Sequence, residues 1–289
     1  MPLRANTPSE TYRALREAPD TPVIAGSARE EFARRYPDVK LQRLVVVIAA
    51  FNEAGNIGTV LDEVPDQIAD VPVSLLVIDD GSTDCTSEVA RQHGALVCTL
   101  SANRGHGVAL RLGYRISREA DAGLIATLDG DGQWDPADLP AMVRMIEEDR
   151  ADFVIGSRQL GQTENTDLSR NIGVRFFAWL VSRLTGATLT DTSSGLRVMR
   201  ADMTAAVRQT QPQYQTSELL IGALFQGFRV AEVPTTMRQR LSGVSKKGGN
   251  VFYGLRYARV IGKTWWRERK AARPASARQP AQPTPLRRS

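Results

Sequence analysis

Two aspartates separated by one glycine, Asp129 and Asp131 in TLDGDGQWDP, directly follow an apolar run. Carboxylates placed one residue apart on a strand-to-loop turn can face one hard cation. Mg2+ or Mn2+ sites of this kind use few carboxylates and let substrate phosphates complete the shell. Gln133 offers a further oxygen. The competing reading is a solvated turn, because aspartate and glycine are turn residues by type. A second acidic group, Asp79-Asp80 in LLVIDDGSTDCT, closes another apolar run. Ser82, Thr83 and Asp84 suit a cap for the helix that follows, but capping leaves the adjacent acids unexplained, since their like charges cost stability unless a cation or ligand donor uses them. A carboxylate there can accept hydrogen bonds from a nucleobase or ribose. A third group is Asn52-Glu53 in IAAFNEAGNIG, where Asn52 suits a helix cap and Phe51 is an aromatic on which a base can pack.

These groups need elements that bring them together. From Leu44 onward the runs LVVVIA, VSLLVI, ALVCTL, GLIATL and DFVIG alternate with amphipathic stretches over Ile57 to Val64, Thr86 to His93, Val108 to Ala120 and Ala137 to Asp149. Continuous apolar strands separated by helices predict an α/β fold with a mostly parallel sheet flanked by helices. Ligands bind such sheets beyond the carboxyl ends of the strands, which is where each polar group above stands. After residue 160 the alternation weakens: 166 to 186 suits a helix, DTSSGLRVMR a turn into a strand, Thr216 to Gly227 a helix and Arg229 to Met237 a strand. The expected organisation is an irregular extension over 1–40 with one short helix around Ala28 to Tyr36, a main domain over 41–270, and a proline-rich, disordered basic tail over 271–289.

FNEAGNI, VIDDGSTD and LDGDGQ at these intervals resemble the GT-A, Rossmann-like domain of family-two glycosyltransferases. The likeness is strongest to the group that transfers mannose or glucose to dolichol or polyprenyl phosphate. It spans roughly Leu44 to Trp266 and extends to Gly156-Ser157-Arg158, DTSSGLR and VAEVPTTMRQRLSGVSKK. It implies a donor half over about 41–160, which binds an NDP-sugar such as GDP-mannose or UDP-glucose, and a smaller acceptor half over about 161–270. By position, Phe51, Glu53, Asp79 and Asp80 would contact the nucleotide, and Asp129, Asp131 and Gln133 would hold Mg2+ or Mn2+. Arg158, Arg170 and Arg240, with Ser245, would surround an acceptor phosphate. The chain departs from the pattern at Ala50, where a proline or threonine often stands, and C-terminal membrane helices like those of many relatives are not expected.

Composition narrows the setting. The longest apolar stretch, Leu44 to Phe51, is far short of the roughly 20 residues a membrane-spanning helix needs. The N-terminus MPLRANTPSE has no apolar core of a signal peptide, so a cytoplasmic location is expected, and Cys85 and Cys98 are expected to be plain thiols. Residues 256–289 hold ten Lys/Arg against one acid, more than the whole chain's net charge of +5, so the remainder is acidic on balance. Within this segment, GLRYARVIGKTWWRERK sets Leu255, Val260, Ile261, Trp265 and Trp266 among basic residues, the composition of an amphipathic helix at an anionic membrane surface. Its other reading is a helix packed on the core. The expected location is thus peripheral, on the inner face of the cell membrane, with a second copy or a membrane protein as further candidate partners. Nucleic-acid binding is not expected, for lack of an aromatic-basic platform.

The chemistry expected is inverting attack on the anomeric carbon of an NDP-sugar. A lipid monophosphate acceptor is already anionic and needs orienting arginines. A hydroxyl acceptor instead needs a carboxylate base, for which Asp191 and Glu218 are the candidates. His106, between two glycines, and the Gly-rich SGVSKKGGN segment with Lys246 and Lys247 are further candidates near phosphate. A protein that binds the sugar nucleotide without turnover is the non-enzymatic alternative.

Overall fold

The LVVVIAA run forms β1 (Leu44–Ala50), buried along its whole length, because its alternate residues enter two different cores. Val45, Val47 and Ala49 join one apolar cluster, while Leu44, Val46, Ile48 and Ala50 join the other. A strand buried on both faces is what an unbroken β-branched run specifies. The computed structural model describes residues 21–164, 168–241 and 250–271, and their side chains except at 21–23, 168–170 and 250–253.

Parallel to β1 lie β3 (Val71–Asp79) on one side and β5 (Leu124–Asp129) on the other. β4 (Leu96–Thr99) extends β3 in parallel, and the short β2 (Gln67–Ile68) pairs β3 antiparallel. Beyond β5 the direction changes. β7 (Arg197–Arg200) runs antiparallel between β5 and β6 (Phe153–Thr163), and β8 (Val230–Met237) lies parallel to β6. The path β2-β3-β1-β5-β7-β6-β8 is therefore parallel around β1, with β7 inserted antiparallel between β5 and β6, within the helix-flanked α/β sheet that was expected. The reversal matters for the site: β7 starts, rather than ends, at the rim where the parallel strands finish.

Helices cover both faces. One side carries α1 (Thr21–Arg35), α4 (His106–Glu119), α6 (Leu168–Thr185), α8 (Gln215–Gln226) and α9 (Asn250–Ala271), packed around Phe32, Tyr114, Val181, Leu220 and Ile261. The other carries α2 (Ile57–Asp62), α3 (Thr86–Gln92) and α5 (Leu139–Glu147), around Leu61, Ala90 and Met142. A short α7 (Met203–Ala206) precedes α8. The helix expected over Ala28 to Tyr36 begins earlier, at Thr21. It packs Ala28 and Phe32 into the core, so this part of the N-terminal region is not irregular.

The reading of α9 as an interfacial helix is half corrected. Tyr257, Val260 and Ile261 are buried, and the Trp265 indole donates to the Leu184 carbonyl at 2.8 Å, so one face packs on the protein. Leu255 and Trp266 face outward, 64% and 60% exposed. On α6, Ile172, Phe176 and Trp179 are exposed as well. Their spacing puts them on one helical face.

Candidate active site

The parallel registers align the chemistry. Ala50 pairs with Asp79 and Ala49 with Asp129, so the chain leaves β3, β1 and β5 at one edge of the sheet. Asn52, at φ +52°, ties two of these ends together: its backbone N–H donates to Ser82 Oγ at 2.9 Å, and its side-chain oxygen accepts from the Thr83 N–H at 2.8 Å. It does not cap α2, whose cap position is Asn56. Phe51 is half-buried at this rim. Glu53 is buried, accepts from Asn56 Nδ2 at 2.7 Å, and receives a second bond from Arg240.

Asp79 and Asp80 are both buried and both used by the protein itself. Asp79 accepts from the Ser82 amide at 2.8 Å and from the Ser87 hydroxyl. Asp80 accepts from the Arg104 amide at 2.7 Å and the Gly105 amide at 2.8 Å, clamping the loop that leads into α4. Burial pushes the Asp80 carboxyl up to about 7 against the opposing pull of those two amides. Both acids thus have donors within the protein, the Ser82 amide and Ser87 hydroxyl for Asp79 and two backbone amides for Asp80.

At the end of β5, Asp129 Oδ2 accepts the Trp134 indole N–H at 3.0 Å, and Oδ1 lies 3.9 Å from His106 Nε2 at the start of α4. Gly195, just before β7, comes so close that a Cβ there would stand 2.4 Å from Asp129 Oδ2, so no other residue type fits without displacing the carboxylate. Asp131 accepts from the Gln133 amide at 3.2 Å and from Arg240 Nη1 at 3.1 Å. Arg240 lies just past β8, in a segment held on the acidic turn by the Arg238 N–H, which donates to the Gln133 carbonyl at 2.8 Å. One guanidinium thus bridges the carboxylates that follow β1 and β5.

Arg158 is placed differently from what was expected. Its guanidinium is 4% exposed and forms a two-point pair with Asp191, Nε to Oδ2 at 2.6 Å and Nη2 to Oδ1 at 3.1 Å. Nη2 also donates to Ser193 Oγ at 2.7 Å, and the guanidinium lies 5.4 Å from the centre of the Trp134 ring. Glu232 supports the pair from behind, accepting from the Thr190 and Asp191 amides, both at 2.8 Å. Arg158 is therefore spent inside the protein. Neither candidate base is open either: Asp191 is fully buried, and so is Glu218, which accepts from Arg267 Nη1 at 2.8 Å and from the Thr210 amide at 2.7 Å.

Of the other expected residues, Gln133 is half-buried and joined to its neighbours through its main chain. The side chain of Arg170, on α6, lies outside the described residues, as do Ser245, Lys246 and Lys247. Three contributors were not singled out from sequence: Trp134, Glu232 and Arg197. The Arg197 guanidinium is buried, donates to the Ser194 and Thr216 carbonyls, and has its pKa lowered by burial. The position of Trp134, just after the acidic turn, was the one available signal.

The donor set suits a divalent cation. Asp129 and Asp131 supply hard carboxylate oxygens, and a positive group already rests on Asp131. Among the described residues no three His, Cys, Asp or Glu side chains form a cage of their own, and a site completed by substrate phosphates needs none.

Residues 45–208 match the model of Glycosyl transferase family 2. The chain is 34% identical over 197 residues to a dolichyl-phosphate hexose transferase of Haloferax volcanii, covering 68% of this chain and 83% of that protein. It is 29% identical over 221 residues to an undecaprenyl-phosphate mannosyltransferase of Micrococcus luteus, covering 72% and 89%. In fold it is similar to glucosyl-3-phosphoglycerate synthase of Mycobacterium tuberculosis, solved with Mn2+, UDP and phosphoglyceric acid, with a TM-score of 0.61 at 17% identity over 83% of this chain and 81% of that one. The strand-end acids, the mixed sheet with its helical layers and the matched span together identify the chain as a glycosyltransferase of family 2 with the GT-A fold.

Proposed function

We propose that this glycosyltransferase moves a hexosyl group, mannosyl or glucosyl, from a nucleoside diphosphate sugar to a polyprenyl phosphate with inversion. The observation that carries the reading is the arrangement of carboxylates and arginine at the rim. Asp129 and Asp131 follow β5, and Arg240 reaches Asp131 and Glu53 from the acceptor half. In this reading Asp129 and Asp131 hold Mg2+ or Mn2+, with Gln133 beside them. When bound, the ion neutralises charge on the departing diphosphate. Phe51 and Glu53 border the place of the nucleotide. Asp80 acts indirectly, by fixing the loop before His106.

A phosphate oxygen of the acceptor attacks the anomeric carbon from the face opposite the diphosphate. The new carbon–oxygen bond forms as the bond to the β-phosphate oxygen breaks, and the electron pair leaves with the nucleoside diphosphate. The attacking oxygen is already anionic at neutral pH, so no proton need be removed. That suits a site whose two candidate bases, Asp191 and Glu218, are buried against arginines. Arg240 is the described cation placed to orient the acceptor phosphate. The two polyprenyl-type relatives support the acceptor class.

A lipid acceptor places the enzyme at a membrane surface. No helix of the described residues is long and apolar enough to cross a membrane. Ile172, Phe176 and Trp179 of α6 and Leu255 and Trp266 of α9 are exposed apolar side chains, and Lys270 lies 5.2 Å from the Trp266 ring. Aromatics edged by basic residues suit the interface of an anionic bilayer.

The test is incubation of the purified protein with labelled GDP-mannose or UDP-glucose, Mg2+ or Mn2+, and either a short polyprenyl phosphate or a free sugar as acceptor. Lipid-linked product with one donor supports the reading. Product on the free sugar alone, or on neither acceptor, overturns it.

A further inference from the structure

We infer that Trp134 is the positioning residue for Asp129, and that the buried pair of Arg158 and Asp191 holds Trp134 in place. A carboxylate at the end of a strand has two side-chain torsions to fix before it can present one oxygen in one direction. Here the Oδ2 side of Asp129 is held by two groups. The Trp134 indole N–H donates to Oδ2 at 3.0 Å, and the Gly195 backbone closes the same side too tightly for a Cβ. Fixing Oδ2 also fixes where Oδ1 lies, 3.9 Å from Nε2 of the half-exposed His106.

The indole is itself held. Trp134 is 3% exposed, and its backbone forms a bridge with Met237 at the end of β8. Arg158 lies 5.4 Å from the centre of its ring and donates Nη1 to Met237 Sδ at 3.4 Å. Asp191 orients Arg158 at two points, and Glu232 orients Asp191 through its amide. The chain of contacts thus runs from β8 in the acceptor half to the carboxylate at the end of β5. Partners of this kind, which orient a ligating side chain without touching the metal, typically alter metal affinity by about 10–100-fold when removed. An indole bonded to Oδ2 also opposes two-oxygen chelation by Asp129, a mode that large cations such as Ca2+ use. The inference rests on the proposed use of Asp129 for a divalent cation.

The experiment measures Mn2+ binding directly, by electron paramagnetic resonance of the free ion, in the presence of UDP and, separately, of GDP. Trp134→Phe keeps an aromatic ring next to Arg158 and removes the donor. It is expected to bind Mn2+ at least about tenfold more weakly than wild type and to discriminate less against Ca2+ in competition. The sulfur isostere 3-benzothienylalanine at position 134 keeps the shape of tryptophan, lacks the N–H, and is expected to show the same loss even if the phenylalanine variant folds poorly. Unchanged Mn2+ affinity in a folded variant overturns the positioning role alone. A wild-type protein that binds no Mn2+ with either nucleotide overturns the proposed function beneath it.

Discussion

Arg240 stands with Nη1 3.1 Å from Asp131 and its other terminal nitrogen on Glu53, so a side chain from beyond β8 supplies positive charge to the acidic rim. An arginine and a divalent cation compete for the same carboxylate. Arg240→Gln is therefore expected to tighten Mn2+ binding to the nucleotide-free protein by up to about fivefold, the scale of a partly exposed ion pair. The same change is expected to slow transfer to polyprenyl phosphate by about 100-fold, because the cation proposed to orient the acceptor is lost. Calorimetry and single-turnover transfer read the two effects separately. Weaker Mn2+ binding in the variant would contradict the competition.

Asp129→Asn and Asp131→Asn are expected to keep the fold and lower transfer by about 100-fold or more, the usual scale for losing charge stabilisation at the reacting centre. Ligand binding to the native state raises its melting temperature. The wild-type rise with UDP or GDP plus Mn2+ should therefore shrink in both variants, and a rise equal to wild type would argue against their holding the ion.

Asp191 and Glu218 are expected to prove structural. Removing one member of a buried ion pair costs about 3–5 kcal/mol. Asp191→Ala strands Arg158, and Glu218→Ala strands the Thr210 and Gln211 amides together with Arg267. Denaturant melts should show losses of that size. A fully stable Asp191→Ala protein that binds Mn2+ as tightly as wild type but has lost turnover would instead restore the general-base reading.

Asp80 makes stability depend on pH. Its folded-state pKa, raised by burial to about 7, lies above the value of about 4 for an unfolded aspartate. The native state then keeps a proton that the unfolded chain releases between those values. The group's contribution is complete below about pH 4 and is lost as pH rises through 7, by up to about 1.4 kcal/mol per pH unit. Asp80→Asn cannot ionise and should flatten that slope between pH 5 and pH 7 in denaturant titrations. An equal slope in the variant would exclude Asp80 as its source.

Phe176→Ser with Trp179→Ser removes exposed apolar surface from α6. Surface changes of this kind usually leave stability within about 0.5 kcal/mol. Co-sedimentation with vesicles containing phosphatidylglycerol should fall sharply at unchanged melting temperature, and equal binding would locate membrane contact elsewhere.

The strands and the acidic turns were legible in the sequence because each is a local pattern. Continuous β-branched runs specify doubly buried strands, and the polar residues after each must fall at the strand ends whatever the strand order. Tertiary structure alone decided how those residues are used. Arg240 meets Glu53 across 187 positions of chain, and Arg158 meets Asp191 across 33. The antiparallel insertion of β7 carries Gly195 and Ser193 to a rim that parallel alternation would have left open. Asp79 and Asp80 turned out to serve backbone amides, and Val260 and Ile261 turned inward. Which partner a charged or apolar side chain meets depends on burial and strand order, and neither is set by its neighbours in sequence.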